Sequence, residues 1–269
     1  MTEALIPVLE VNSLTMDFGG LRALEDITIR VGRGEIVALI GPNGAGKTTF
    51  FNCITGIYEP TAGDMIAHPP GGLSRRLNRL KPNKVTEQGL ARTFQNIRLF
   101  QKMTVLENVM VARHCRTRSG IFGAVFRDER TRREERDLVD FSYRMLVKVG
   151  LERYVNELAS ELPYGAQRRL EIARAMATEP FLLLLDEPAA GLNMKETSDM
   201  GALVRKIRDR GVTVLMVEHD MSLVMGICDD ITVLNQGRKI FEGAPDAVQR
   251  SAEVIRVYLG EVNAEDSQP

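Results

Sequence analysis

The octapeptide Gly41-Pro42-Asn43-Gly44-Ala45-Gly46-Lys47-Thr48 constrains this chain of 269 residues more than any other feature. It matches G-x-x-x-x-G-K-[ST], in which glycines let backbone N–H groups turn inward around phosphate oxygens that Cβ atoms would obstruct. The pattern also demands a setting. A buried strand must precede it, and a helix must follow with its positive N-terminal end aimed at the same phosphates. Both are legible in the flanks. Glu35 to Ile40 is a short apolar run of buried-strand type, and Thr48 to Thr55 reads as a helix with Phe51 and Ile54 on its apolar face. In that setting Lys47 supplies a mobile charge for the β- and γ-phosphates, and the Thr48 hydroxyl can ligate Mg²⁺. The bland alternative, a glycine-rich turn joining strand to helix, needs neither flank.

Further elements extend the pattern. Val8 to Val11 and Ile27 to Val31 alternate as strands about a turn at Asp17-Phe18-Gly19-Gly20. The stretch from Ala67 to Lys84 carries Pro69-Pro70-Gly71-Gly72 and then Arg75, Arg76, Arg79, Lys81 and Lys84, and reads as a mobile basic connector. Thr104 to His114 is helical, Gly120 to Phe126 is an apolar island, and the mixed charges of Arg127 to Asp137 read as a solvated helix face. Leu138 to Gly150 completes a hairpin-like helical segment. A helix at Arg168 to Ala177, the leucine run to Asp186, a helix at Lys195 to Arg210 and a strand at Val212 to Val217 follow. Ile231 to Phe241 resembles a hairpin, and a helix starts at Pro245. This alternation predicts a parallel sheet with helices on both faces.

The leucine run delivers Asp186 and Glu187 to the carboxyl end of a strand, the edge at which open parallel sheets bind ligands. Asp186 can hold Mg²⁺ through its water shell, and Glu187 can polarise an attacking water. With Pro188 next, the pair could instead start a helix. His219 ends another apolar strand, where it could meet a terminal phosphate. Gln95 could complete a Mg²⁺ shell or be a surface glutamine. Phe18 could stack on adenine or cover a small β layer.

Composition closes other routes. Apolar residues make up 44% and charged residues 26%, enough for a buried core, and a formal charge of -1 gives no field to recruit nucleic acid. The N-terminus does not read as a signal peptide, and the longest uninterrupted apolar run, near Phe181 to Leu185, is far short of the ~20 residues that span a bilayer. Cys53, Cys115 and Cys228 fall in no metal-ligand spacing, and we expect reduced, packed thiols in a soluble, intracellular chain.

Taken in order, Phe18, Gly41 to Thr49, Gln95, Leu162-Pro163-Tyr164-Gly165-Ala166-Gln167, Asp186-Glu187, Ala190-Gly191-Leu192-Asn193 and His219 resemble the motifs of ABC transporter ATP-binding subunits. Phe18-Gly19-Gly20-Leu21, Ala91 to Gln95, Arg168 to Ala175, Glu218 to Met221 and the tail Val254 to Glu261 look like the branched-chain amino acid importer branch, and the long segment after Gln95 like its larger ATPase subunit. Urea, amide and lipopolysaccharide transport ATPases share several of these features, and a soluble non-transport ABC ATPase is the other alternative.

The resemblance implies an α/β fold: a P-loop core with an antiparallel β subdomain and a helical subdomain. One domain would run over 6–260, with its core at 6–95 and 178–260, helices at 96–177, and a flexible tail at 261–269. It implies ATP and Mg²⁺ as cofactors, the latter at Thr48, Gln95 and Asp186, and catalysis by Glu187, His219 and Lys47. ATP would be held by Phe18, Gly41 to Thr49 and Gln95, while Pro163 to Gln167 would meet ATP on a second ATPase subunit, identical or different. Transmembrane permease subunits and, indirectly, a periplasmic solute-binding protein would be partners, at the cytoplasmic face of the inner membrane. Three positions depart from the family. Pro163 replaces a serine whose hydroxyl contacts the opposite ATP, Ala166 stands where glutamine is common, and Asn193 replaces an aspartate. We therefore expect the site completed by this chain's signature to be the weaker of two.

Overall fold

A computed structural model describes residues 7–113 and 129–265. Strand β1 (Leu9–Phe18) turns through Gly19 into β2 (Leu21–Val31), with Gly19 at φ 59. Their alternating Leu, Val and Ile bury one face, as a half-covered antiparallel pair should. Adding β4 (Ala62–Ala67) and β5 (Arg75–Arg76) gives a four-stranded sheet in the order β2-β1-β4-β5.

The second sheet carries the chemistry. It runs β10-β9-β3-β8-β7-β6, where β3 is Ile36–Ile40, β6 Leu90–Arg92, β7 Leu182–Asp186, β8 Thr213–Val217, β9 Asp230–Asn235 and β10 Arg238–Gly243. All pairings are parallel except the β9–β10 hairpin. Every residue of β3, β7 and β8 is buried, because both faces are covered. Leu182 to Leu185 are fully inaccessible, worth about 2 kcal/mol of apolar burial each.

Alternate strand residues feed two different cores. Ala38, Leu183, Leu185, Val214 and Met216 face a helical layer, built from α3 (Val105–Arg113), α4 (Glu129–Lys148), α5 (Tyr164–Ala177), α6 (Met194–Arg208), α7 (Met221–Ile227), α8 (Pro245–Arg250) and α9 (Ala252–Glu265). Val37, Leu39, Leu182, Leu184, Leu215 and Val217 face the other way, onto α1 (Lys47–Ile54) and the antiparallel sheet. Helices therefore cover both faces as expected, and on the second face α1 is wedged between two sheets, with Phe50, Phe51, Cys53 and Ile54 all at 0% exposure.

The basic connector, by contrast, is a correction. Leu77 is buried, Asn78 Oδ1 accepts from Met65 N at 2.9 Å, and its Nδ2 donates to the Gly63 carbonyl at 3.0 Å. Helix α2 (Pro82–Glu87) closes the segment. Three of its five positive charges are paired: Arg76 with Asp64, Arg79 with Glu59 and Lys84 with Glu87. Most of these partners lie 12 to 20 residues upstream, out of reach of a local composition argument. Arg133 to Asp137 fall on the largely exposed flank of α4, as expected. Cys115, His114 and the island Gly120–Phe126 lie outside the described residues, as do 266–269 of the expected tail.

Candidate functional site

The carboxyl ends of β3, β7 and β8 open onto a cleft of about 600 Å³, walled by the phosphate loop, Phe18, Gln95, Glu187 and His219. The loop's shape is imposed by contacts that only glycine permits. A Cβ on Gly41, at φ +149, would stand 2.1 Å from the Leu234 carbonyl oxygen, and one on Gly46, at φ +102, would stand 2.7 Å from a Leu24 methyl. Gly46 caps α1 without a side chain, so the N–H groups of the first turn point into the cleft.

Asn43 to Thr49 reach the cleft wall; Gly41 and Pro42, expected among the ATP contacts, do not. They lie behind Lys47, whose buried Nζ donates to their carbonyls at 2.6 and 2.9 Å. The ammonium is thereby held at the loop's base. Phe18 is 41% exposed and meets Tyr58 edge-on at 5.2 Å, which leaves a ring face at the mouth.

Glu187 is the junction of the site. Its Oε2 accepts from Gln95 Nε2 at 2.9 Å, and its Oε1 lies 3.2 Å from His219 Nε2. Glu187 itself sits at φ 49, a left-handed conformation that costs a glutamate of order 1 kcal/mol. The bond from its N–H to the Val217 carbonyl, 2.9 Å, holds it there by fastening the end of β7 to the end of β8.

Two residues that sequence reasoning passed over support this cluster. Asp186 is buried behind the cleft rather than on its wall, and Arg92 Nη2 donates to its Oδ2 at 2.7 Å. Arg92 Nη1 also reaches Asn52 Oδ1 at 2.7 Å and Thr55 Oγ1 at 3.2 Å, on α1, while its guanidinium lies over Phe51 and Phe94. Glu218 is likewise buried. It accepts from Ala189 N at 2.7 Å, His219 N at 2.9 Å and Asp220 N at 3.3 Å, which fixes the backbone that carries His219. Burial pushes the Glu218 carboxyl above its usual range, and these N–H groups pull it back in part. The sequence signals were weak: an arginine ending a three-residue strand, and an acid at the end of an apolar one.

The signature segment lies elsewhere. None of Leu162 to Gln167 borders the cleft. Pro163 caps α5 with φ −55 and ψ 149 and no side-chain bond, its carbonyl accepting from Ala166 and Gln167 N–H. Gln167 Nε2 donates to the Leu162 carbonyl at 2.9 Å. Pro163 and Tyr164 are exposed; Gly165 and Ala166 are buried, with Gly165 packed against Glu196 and the Ala166 N–H already bonded to the Pro163 carbonyl. Asn193, a further departure, caps α6 through a reciprocal pair: its Oδ1 accepts from Glu196 N, and Glu196 Oε2 accepts from its own N–H. Asparagine does this as well as aspartate.

Comparison with known proteins adds the following. The family described as ABC transporter matches residues 24–190, and one described as branched-chain amino acid ATP-binding cassette transporter matches 238–263. The chain is 47% identical over 260 residues to the high-affinity branched-chain amino acid transport ATP-binding protein BraF of Pseudomonas aeruginosa, covering 95% of this chain and 98% of that one. It is 46% identical over 256 residues to LivG of Escherichia coli, of the same description, covering 95% and 98%. Against the lipopolysaccharide export system ATP-binding protein LptB of Escherichia coli, identity is 30% over 253 residues, covering 94% and 97%. Among solved structures, the ADP conformation of MJ1267, an ATP-binding cassette of an ABC transporter, superimposes with a TM-score of 0.82 at 28% identity, covering 95% of this chain and 99% of that one. A dimeric post-hydrolysis state of the cassette MJ0796 bound to ADP and Pi gives 0.73 at 25% identity, covering 88% and 98%.

Proposed function

Because the chain belongs to the ABC transporter ATP-binding family, we propose that it is the ATP-hydrolysing subunit of an importer of branched-chain amino acids. The observation that carries the enzymatic half is Glu187, bracketed by Gln95 and His219 at the mouth of the phosphate cleft. The solute follows from near-full-length identity to BraF and LivG, well above that to LptB, and from the matching tail at 238–263.

In this reading the glycine N–H groups and α1 receive the β- and γ-phosphates, and Lys47 leaves its carbonyls to meet them. Phe18 stacks on the base. Glu187 accepts a proton from the attacking water while His219, across 3.2 Å, orients the terminal phosphate. Thr48 and Gln95, on the cleft wall, would offer a hydroxyl and an amide oxygen to Mg²⁺, and Asp186, behind the wall and held by Arg92, would act on it through its water shell. The ion would there offset charge built up in transfer. The Gln95 amide nitrogen already serves Glu187, which leaves its oxygen for that role.

Pro163 to Gln167 have no part in the chain's own cleft, so they are available to another subunit's nucleotide. Two ATPase subunits sandwich two ATP molecules, and closure is passed to permease subunits docked near Gln95 and the helical region 96–177. Among the described residues no helix is long and apolar enough to cross a membrane. Docking on permease subunits would hold the chain peripherally at the cytoplasmic face of the inner membrane. Uptake of labelled leucine by proteoliposomes holding the assembled transporter tests the whole reading. ATP-dependent leucine accumulation, abolished by Glu187→Gln, is expected; hydrolysis without uptake of any branched-chain amino acid would overturn the solute assignment.

A further inference from the structure

The loop that carries Gln95 is fastened to helix α5 at both ends. At one end Arg168 Nη1, itself buried, donates to the Phe94 carbonyl at 3.1 Å. At the other, Glu171 Oε1 accepts from Arg98 N at 3.0 Å, and Arg174 Nη1 reaches the Arg98 carbonyl. Arg168 and Glu171 also pair with each other at 3.4 Å. These three side chains recur every third residue, so they share one broad side of the helix. They bind main-chain atoms, so what they fix is the path of residues 94–98 rather than any one side chain of it.

The same arginine looks towards the start of the helix. Its guanidinium lies 5.4 Å from the ring of Tyr164, one turn earlier, and that ring is 44% exposed. A continuous series of contacts therefore runs from exposed Tyr164 to Arg168, to the Phe94 carbonyl, to Gln95 and on to Glu187 Oε2. A buried ion pair is a costly way to pack a helix, since apolar residues of similar volume would do as well or better. Its geometry is nonetheless directed at one loop.

We infer that Arg168 is a positioning residue that ties the partner-facing start of α5 to Gln95, so that engagement of Tyr164 by a second subunit alters the setting of Glu187. This rests on the reading of Glu187 and the signature segment given above. It makes hydrolysis in one cleft depend on whether the same chain's signature has found its partner.

A double-mutant cycle on kcat/KM for ATP in the assembled transporter measures the link. Tyr164→Ala and Gln95→Ala are combined in the native background and again with Arg168→Met. In the native background the joint effect should differ from the product of the single effects by about fivefold or more. With Arg168→Met it should fall to within about twofold of that product. Glu171→Gln, which keeps the volume but weakens the grip on Arg98 N–H, gives an intermediate value and serves if Arg168→Met does not fold. Independent effects in the native background overturn the inference, as does coupling that survives both substitutions. If Gln95→Ala alone leaves turnover unchanged, the reading of the site itself fails; if the single variants slow turnover but multiply independently, only the link fails.

Discussion

Helix α1 begins on a loop of glycines pinned between two sheets, whereas α5 begins on an exposed proline and tyrosine. The shape of the first is set within the chain: Leu234 and Leu24 mould the loop, the Gly41 and Pro42 carbonyls hold Lys47, and four fully buried side chains fix the helix. The second has no side-chain cap, and only its N-cap Pro163 and first residue Tyr164 are exposed. The difference teaches that a helix N-terminus is preformed to receive phosphate only when its approach is enclosed. One end is enclosed by this chain; the other is left open.

The comparison breaks most readily at Glu187. Glu187→Gln should lower ATP turnover by about 10²- to 10⁴-fold, the usual worth of a positioned base, while ATP affinity stays within about threefold. Near-normal hydrolysis would remove Glu187 from the role and leave the enclosed end without a base.

Arg92→Met tests how far the enclosure depends on its buried support. Removing the guanidinium strands Asp186 and leaves Asn52 and Thr55 without their shared donor, a loss of about 3–5 kcal/mol in denaturant unfolding. A change under about 1 kcal/mol would mean that water replaces the arginine at little cost.

At the open end, Pro163→Ser restores both a hydroxyl and a backbone N–H. A hydroxyl that makes one hydrogen bond to the opposite nucleotide's phosphate in the transition state is worth about 1 kcal/mol, so turnover of the assembled transporter should rise about fivefold. An unchanged rate would count against unequal sites.

The smallest effect concerns Glu218. Its folded value is raised above the ordinary 4.5, so protonation stabilises the fold; that contribution is complete below 4.5 and is lost as pH rises through the folded value. Glu218→Gln should flatten the slope of Tm against pH from 4.5 upwards. An unaltered slope would show that the carboxyl titrates alike in both states.

The enclosed end was also the legible one. Gly41 to Thr48 is contiguous, so its flanks and glycines announce the turn directly. The supports were not legible, because their partners are distant in sequence: Arg92 and Asp186 are separated by 94 positions, and Arg168 and Phe94 by 74. Composition misread residues 67–84 for the same reason, since Leu77 and Asn78 are ordered by strand β4 upstream. Which of Gly41 to Thr49 face the cleft was beyond the motif as well; it took the wedge between two sheets to turn Gly41 and Pro42 away. Asn193, by contrast, was visible as a departure, but its worth as a cap depended on Glu196 three residues on.

The central claim is that the enclosed end turns over ATP only when a second chain's signature covers it. ATP turnover per chain, measured across a dilution series and again in the assembled transporter, tests this most directly. The account predicts almost no hydrolysis by the dilute chain and a gain of about tenfold or more on assembly, where the partner's effective concentration is high. Turnover per chain that is the same at every dilution and unchanged by assembly would contradict it.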